Sequence, residues 1–322
     1  MSRAASRRRR PSDHVPAIAL VGSPLEPALL RAAGWHVRGR LTSSPYEDPR
    51  DARAYRDLEE LLDDVRVDAV ALDADDPRLG RHLPAVRRAG LAVLLAPAAP
   101  LDIEQVRAAR AVPDAPDVAV ALLARWQPWA LTVAAALPLA GDPPLQVTVR
   151  GWPRGERAAA ELADLAASWG GSVAAVAGAP GVLPARELPP GPGRPAAAVS
   201  WALLLQGGAT VLVSHDDPPV RVRLSFPRAR LEAGPDGARW DGGAALPLLP
   251  VPDRRAVPRP VPVGTDPGLL ATAEALTRAV GGRDLLAEQW PWPADLGDLL
   301  AAAHVLAALR ESAATGALVR TA

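Results

Sequence analysis

Near the start of the chain stands the stretch Ala17-Ile18-Ala19-Leu20-Val21-Gly22-Ser23-Pro24-Leu25-Glu26-Pro27. An apolar run followed by a glycine and prolines predicts a buried strand, a tight turn and the start of a helix. In a dinucleotide-binding fold this turn holds the pyrophosphate, and the fingerprint has three glycines there. Only Gly22 is present, while Pro24 and Pro27 occupy the other two positions and offer no N–H. The stretch therefore favours the fold and disfavours the usual cofactor contacts.

After this stretch, short apolar runs alternate with helical patterns as far as residue 123. Strands are predicted at Trp35–Leu41, Val67–Leu72, Ala92–Leu95 and Val118–Leu123. Helices are predicted at Pro27–Ala33, Asp57–Leu62, Arg78–Ala89 and Ile103–Ala111. Alternation of strands and helices with short connections indicates a doubly wound parallel sheet. We therefore predict a Rossmann-like domain over residues 17–123, preceded by a disordered basic tail over residues 1–16.

Residues 124–322 show a different pattern, in which several strands follow one another without helices between them. The predicted strands are Leu145–Arg150, Ser172–Ala177, Ala197–Leu205, Ala209–Ser214, Val220–Phe226 and Ala229–Leu231. The predicted helices are Trp126–Ala136, Arg157–Trp169, Pro267–Val280 and Asp295–Thr315. Such a run of strands indicates an antiparallel or mixed sheet. The predicted class is α/β, with a Rossmann-like doubly wound parallel sheet followed by an α+β domain on a large open mixed or antiparallel sheet.

The composition excludes several kinds of chemistry and partner. Basic and acidic residues balance at 36 each, so no overall charge favours nucleic acid or a membrane surface. The chain has no Cys, which excludes disulfides and thiolate nucleophiles, and no Lys, which excludes Schiff-base chemistry. No apolar run reaches the roughly 18–20 residues of a membrane span. We expect a cytoplasmic protein that binds neither nucleic acid nor membrane.

Four stretches, in this order and spacing, resemble the Gfo/Idh/MocA family, the relatives of glucose–fructose oxidoreductase and inositol dehydrogenase. They are Tyr55–Leu62 with Val67–Val70, Ala89–Leu95, Arg125–Pro128, and Glu311–Gly316 with Val319. The resemblance implies the two-domain fold and an NAD(P)-dependent oxidoreductase acting on sugars, polyols or related alcohols. It also implies that the second sheet pairs with another copy of the chain, giving a homo-oligomer.

The family's cofactor-binding positions can be carried onto this chain one by one. The phosphate loop corresponds to Gly22–Pro27, which makes Gly22, Ser23 and Leu25 the positional candidates there. The acidic residue expected after the second strand falls at Thr42 and Ser43, where no carboxylate stands. The Glu-Lys-Pro signature falls at about Ala96-Pro97-Ala98, without the lysine that the family implies for proton handling.

The family's D-x-x-x-H pair falls on the predicted helix at Arg157 and Glu161, with Asp164 matching the aspartate that follows. Glu161 would be an acid/base in a changed pocket, or simply the i,i+4 ion-pair partner of Arg157. His82 lies near a family histidine position, although counting back from Gly90 puts that position at Leu79. A surface helix histidine is the alternative for His82.

Two acidic groupings complete the candidates. Asp73 follows a buried strand at the edge where open α/β sheets bind ligands, and its charge would repel a pyrophosphate. His215 precedes Asp216 and Asp217, but turn chemistry accounts for that sequence, and we predict no metal site.

Two functions remain open at this stage. The first is an oxidoreductase-like protein that has lost redox catalysis and serves as a binding or partner protein, with no cofactor and an unknown protein partner. The glycine loop, the signature lysine and the D-x-x-x-H pair are all absent, which favours this hypothesis. The alternative is a divergent NAD(P)-dependent oxidoreductase acting on a sugar, polyol or related alcohol, if the dinucleotide site survives.

Overall fold

The computed structural model describes residues 15–22, 25–41, 52–64, 66–96, 102–113, 115–116, 118–178, 201–215, 219–241, 245–246, 266–280 and 294–321. These residues form two sheets, one of six strands and one of nine. Helices cover both faces of the first sheet and one face of the second. No described helix has both the length and the apolar character needed to cross a lipid bilayer.

The first sheet has the strand order β3-β2-β1-β4-β5-β6, and each described neighbouring pair is parallel. Its strands are β1 (Ala17–Val21), β2 (His36–Leu41), β3 (Arg53–Tyr55), β4 (Ala69–Leu72), β5 (Ala92–Leu95) and β6 (Val118–Val120). Its helices in chain order are α1 (Pro27–Ala32), α2 (Leu58–Asp64), α3 (Leu79–Arg88) and α4 (Ile103–Arg110). This order is doubly wound, which confirms the prediction for this part of the chain.

The second sheet has the order β14-β13-β12-β11-β7-β10-β9-β8-β15. Its strands are β7 (Gln146–Arg150), β8 (Val173–Gly178), β9 (Trp201–Leu205), β10 (Thr210–Val213), β11 (Arg221–Ser225), β12 (Arg230–Gly234), β13 (Gly237–Trp240), β14 (Ala245–Leu246) and β15 (Val319–Arg320). The remaining helices are α5 (Pro128–Ala136), α6 (Glu156–Gly170), α7 (Pro267–Val280) and α8 (Leu296–Thr315). Only β7 and β10 pair in parallel, so the sheet is mixed, as predicted.

The second sheet is covered on one face and open on the other. Inward-facing residues of its strands pack in one core with α5, α6 and α8. Polar and charged side chains alternate with that core along β7 and β11, as expected for a half-buried sheet. Leu204 and Leu212 are each 39% exposed on the opposite face. The structure thus confirms the large open sheet that the sequence predicts.

Helix α7 packs on the first sheet although it comes late in the chain. Its Ala273 and Leu276 belong to the core that contains β1. The indole N–H of Trp35 donates to the Ala273 carbonyl at 3.1 Å, and the Thr277 hydroxyl donates to the Ala33 carbonyl at 3.0 Å. One face of the first sheet is therefore completed from the far end of the chain.

Helix α8 joins the two cores. Its first turns, with Leu296 and Leu299, pack against the first sheet, while Leu306 and Leu309 pack under the second. The Asp295 side chain caps the helix through the backbone N–H groups of residues 297 and 298, which anchors its start. A single helix of 20 residues therefore sets the distance between the two sheets.

The structure also contains strands that the sequence did not predict, namely β3, β13, β14 and β15. They have between two and four residues each, which is too short for a period-two pattern to emerge. The strand predicted as Val118–Leu123 ends at Val120, because the chain then turns into a 3-10 helix at Leu123–Trp126. All but the last two residues of the predicted basic tail lie outside the described residues.

The turn after β1 depends on Gly22. Its φ is 93°, and a Cβ atom added there would lie 2.4 Å from the Cβ of Asp73. The Asp73 N–H donates to the Val21 carbonyl at 3.0 Å, which holds the ends of β1 and β4 together. Only a residue without a side chain fits this contact.

We predict that Gly22→Ala lowers the free energy of unfolding by about 2–4 kcal/mol, since backbone strain adds to a steric clash. Gly90→Ala is the matched control, because Gly90 has a φ of 74° and nothing within 4 Å of the added Cβ. It should cost about 1–2 kcal/mol from strain alone. Urea unfolding of both variants measures the difference. Equal losses would show that the Asp73 contact is not tight.

Candidate functional site

The candidate site lies at the carboxyl edge of the first sheet, between β1 and β4. The strand order reverses there, and open α/β sheets bind their ligands at that point. Gly22 directly follows β1, Asp73 follows β4, and the buried Ala96 follows β5. The Ala96 N–H donates to the Leu72 carbonyl at 3.1 Å. The structure thus brings three predicted positions to one edge. Leu25 is buried at the start of α1, and Ser23, Thr42, Ser43 and Pro97 lie outside the described residues.

The acidic loop after β4 folds its carboxylates back onto its own backbone. Asp73 Oδ1 accepts from the Asp75 N–H at 2.9 Å, and Asp76 Oδ1 accepts from the Arg78 N–H at 2.8 Å. Burial opposes the charged form of Asp76, but the hydrogen bonds and charge of Arg78 hold the pKa of its carboxyl below its usual range. The loop is therefore fixed with negative charge at the switch point.

The described residues of this edge do not fit a dinucleotide pyrophosphate. Asp73 is pressed against Gly22, so its carboxylate stands beside the turn that would hold the phosphates. Helix α1 has only six residues, begins with Pro27, and follows the exposed acidic Glu26. A helix start presents N–H groups and partial positive charge to an anion, whereas this one carries a proline and a carboxylate.

His82 lies in the first turns of α3, close to the same loop. Its Nδ1 is 3.6 Å from Asp76 Oδ2 and is buried without a hydrogen-bond partner among the described residues. Burial lowers the pKa of this histidine, although Asp76 opposes the shift. A neutral imidazole at pH 7 follows from that direction. The structure places His82 near the edge and connects it to Asp76.

Glu161 lies on α6, where it faces the 3-10 turn that follows β6. Arg157 Nε lies 3.5 Å from its Oε1, so the i,i+4 pair expected from the sequence forms. Burial raises the pKa of the Glu161 carboxyl, and nearby Asp266 adds to that shift. Arg157 and the Leu123 N–H oppose it. A buried carboxyl with a raised pKa suits proton transfer, and it also suits a structural pair.

Asp266 is a neighbour of Glu161 that the sequence analysis did not single out. Its carboxylate accepts from the Gly268 N–H at 2.7 Å and from the Leu269 N–H at 3.3 Å, which caps α7. An aspartate just before a proline at a helix start is a recognisable capping signal. Its position beside Glu161 depends on how α7 packs, which the local sequence does not reveal.

Asp164, the third catalytic candidate, is held in a buried ion pair. Arg125 Nε donates to Asp164 Oδ2 at 3.0 Å, and its Nη2 donates to Asp164 Oδ1 and, at 3.1 Å, to Asp298 Oδ2. The side chains of Arg125 and Asp164 are 17% and 5% exposed. Burial opposes the charged guanidinium, but the two carboxylates hold the pKa of Arg125 above its usual range. Asp164 thus has a structural role, because its pair with Arg125 helps to hold α6 next to the start of α8.

His215 is fully engaged by hydrogen bonds. Its Nε2 accepts from the indole N–H of Trp201 at 3.3 Å, and its Nδ1 lies 2.7 Å from the Trp152 carbonyl. The tautomer with the proton on Nδ1 satisfies both contacts. No group of three or more metal-ligating side chains occurs within the part of the chain that the structure describes.

Comparison with known proteins establishes the fold. No protein-family model matches the chain, and no curated protein sequence matches it. Solved structures do match. An NAD-binding oxidoreductase from Klebsiella pneumoniae has a TM-score of 0.70 at 15% identity, with 96% of this chain and 100% of that chain covered.

Two further structures are similar over nearly the whole chain. The aldose-aldose oxidoreductase from Caulobacter crescentus, complexed with glycerol, has a TM-score of 0.69 at 15% identity, covering 95% of this chain and 100% of that one. The WlbA dehydrogenase from Bordetella pertussis, in complex with NADH and UDP-GlcNAcA, has a TM-score of 0.66 at 16% identity, covering 96% and 99%. These neighbours are Gfo/Idh/MocA-type NAD-binding oxidoreductases, so the resemblance is confirmed for the fold.

We predict that Arg125→Gln lowers the free energy of unfolding by about 3–5 kcal/mol, because it leaves the Asp164 carboxylate buried without its partner. Arg157→Gln is the control and should cost less than about 1 kcal/mol, because its pair with Glu161 is half exposed. Chemical denaturation measures both. A small loss for Arg125→Gln would contradict the structural role of the ion pair.

A second prediction concerns pH. Because the pKa of Glu161 is raised in the folded chain, its contribution to stability is fully present below the ordinary glutamate pKa of about 4.3 and is lost as pH rises through the raised value. Glu161→Gln cannot ionise, so its stability relative to the wild type should increase between about pH 4 and pH 8. Urea unfolding at several pH values tests this. A constant difference across the range would rule out a raised pKa.

Proposed function

We propose that this chain is a binding protein built on an oxidoreductase fold, and that it does not transfer hydride. The observation that carries the proposal is Asp73 at the switch point, whose Cβ packs against Gly22 and so places a carboxylate beside the turn. A negative group fixed there disfavours the usual dinucleotide pose through charge repulsion.

The positions expected to carry chemistry support the same proposal. Asp164 forms a buried ion pair with Arg125, and Glu161 forms an ion pair with Arg157. The chain has no lysine to stand in for the signature residue. Reduction or oxidation of an alcohol needs a bound nicotinamide and a group that handles the hydroxyl proton. The cofactor site and the proton-handling group are both affected. This favours loss of the reaction over replacement of one catalytic group by another.

We further propose that the chain assembles through the open face of its second sheet. Leu204 on β9 and Leu212 on β10 lie on that face and are each 39% exposed. Neighbouring apolar side chains on a sheet face are typical of a contact surface. Whether the occupant is a second copy or an unknown protein partner is answered by light scattering of the purified chain.

The proposal predicts no saturable binding of NADH or NADPH up to millimolar concentration. Binding is measured by quenching of tryptophan fluorescence and by energy transfer to the nicotinamide. Asp73→Asn should tighten NADH binding by about tenfold or more at low salt, since a close like charge is worth about 1–2 kcal/mol. Asp75→Asn, which removes an exposed carboxylate two residues away, should change little. Wild-type affinity near micromolar would overturn the proposal.

The second candidate is a divergent NAD(P)-dependent oxidoreductase acting on a sugar, polyol or related alcohol, with the cofactor held in a different pose. The specific observation in its favour is Glu161, a buried carboxyl with a raised pKa near the end of β6. Substrate-dependent reduction of NAD+ or NADP+ that Glu161→Gln abolishes would establish it. No such activity across a panel of polyols and sugar derivatives would leave the binding protein as the function.

A further inference from the structure

The open face of the second sheet carries a charged hollow beside its apolar part. The hollow has a volume of about 420 Å³ and lies over β7, β11, β12 and β13. Six charged side chains line it, Arg150, Arg221, Arg223, Glu232, Asp236 and Arg239. Four guanidinium groups thus face two carboxylates, which leaves the hollow with a net positive charge.

Two of the four arginines already share one carboxylate partner. Arg223 Nε donates to Glu232 Oε1 at 2.7 Å, and Arg239 Nη2 donates to Glu232 Oε2 at 3.1 Å. The hydrogen bonds from Arg239 and Arg223 lower the pKa of the Glu232 carboxyl despite its partial burial. Both oxygens of Glu232 are therefore in use, and this carboxylate is committed to its own pair of arginines.

The other two arginines oppose each other. Arg221 on β11 lies directly opposite Arg150 on β7, so both side chains project from the same face. Residues opposed in this way have Cβ atoms about 4.5–5.5 Å apart, and like charges in that position destabilise a sheet. Among the described residues, neither guanidinium has a hydrogen-bond or ion-pair partner. This arrangement costs stability unless an anion lies between them.

Glycines keep space open next to this pair. Gly234 and Gly237 face each other at the end of the β12–β13 hairpin and line the hollow. A Cβ added at Gly237 would meet nothing within 4 Å. The lining thus combines the open space at Gly237 with guanidinium groups. A planar guanidinium can bind phosphate or carboxylate through two parallel hydrogen bonds.

We propose that this hollow binds a small anion with two or more negative charges, held between Arg150 and Arg221. Phosphate and carboxylate groups share the required chemistry. The inference uses none of the residues at the edge of the first sheet, so its failure leaves the proposed loss of hydride transfer standing. It competes with assembly through the same open face, because a second copy seated there would cover the hollow.

The experiment titrates the full chain with pyrophosphate and, separately, with citrate. Calorimetry measures the binding, and thermal unfolding measures the change in Tm. Sodium chloride at matched ionic strength controls for screening. Saturable binding with a rise in Tm supports the proposal, and the better of the two probes identifies the anionic group. Arg150→Gln and Arg221→Gln should each weaken binding at least tenfold. Arg110→Gln, which alters an exposed arginine on α4, should leave it unchanged.

The thermal unfolding of these two variants also shows whether they remain folded. Without anion and at low salt, Arg150→Gln and Arg221→Gln should each have a higher Tm than the wild type, because the opposed charges are relieved. No binding beyond the sodium chloride effect would overturn the proposal, as would unchanged affinity in both variants. A dimer in light scattering that excludes both probes would also overturn it and would assign the hollow to contact with a second copy.

Discussion

The arrangement of the two sheets depends on the buried ion pair that Arg125 forms with Asp164. Arg125 lies just after the last strand of the first sheet, and its partners are on α6 and at the start of α8. A buried charge is tolerated only while its partners are in place, so these three elements must stay in register. The ion pair therefore constrains both sheets and gives Asp164 a structural role.

The edge of the first sheet illustrates how a fold can be kept while its usual ligand is disfavoured. The parallel strands need only apolar residues and a glycine at the β1 turn, and Gly22 supplies the required φ. Phosphate binding makes additional demands on the same loop, namely free N–H groups and an uncharged neighbour. Gly22 meets the first requirement, whereas Pro27 offers no N–H and Asp73 is a charged neighbour, so the second set is not met. Packing and chemistry thus place separable demands on one turn.

The sequence predicted the elements with strong local signals, including β1, β5 and α7, because an apolar run or a helical period identifies them within one window. It missed β3, which is three residues long and exists because β2 offers it an edge. At the site, the position of Asp73 followed from strand order alone. The partner of Arg125 could not be predicted in that way, since Asp298 is 173 residues further along the chain.

The late position of α7 also has a consequence for how the molecule is made. During synthesis, residues 15–120 can leave the ribosome well before the helix that covers one face of their sheet. Until residues 266–280 arrive, the apolar side chains on that face, including those of β1 and β5, are covered only in part, by α1. Contacts between residues so far apart in the sequence slow folding and prolong the exposure of apolar surface. One face of the nascent first sheet therefore stays partly exposed until residue 280 has been made.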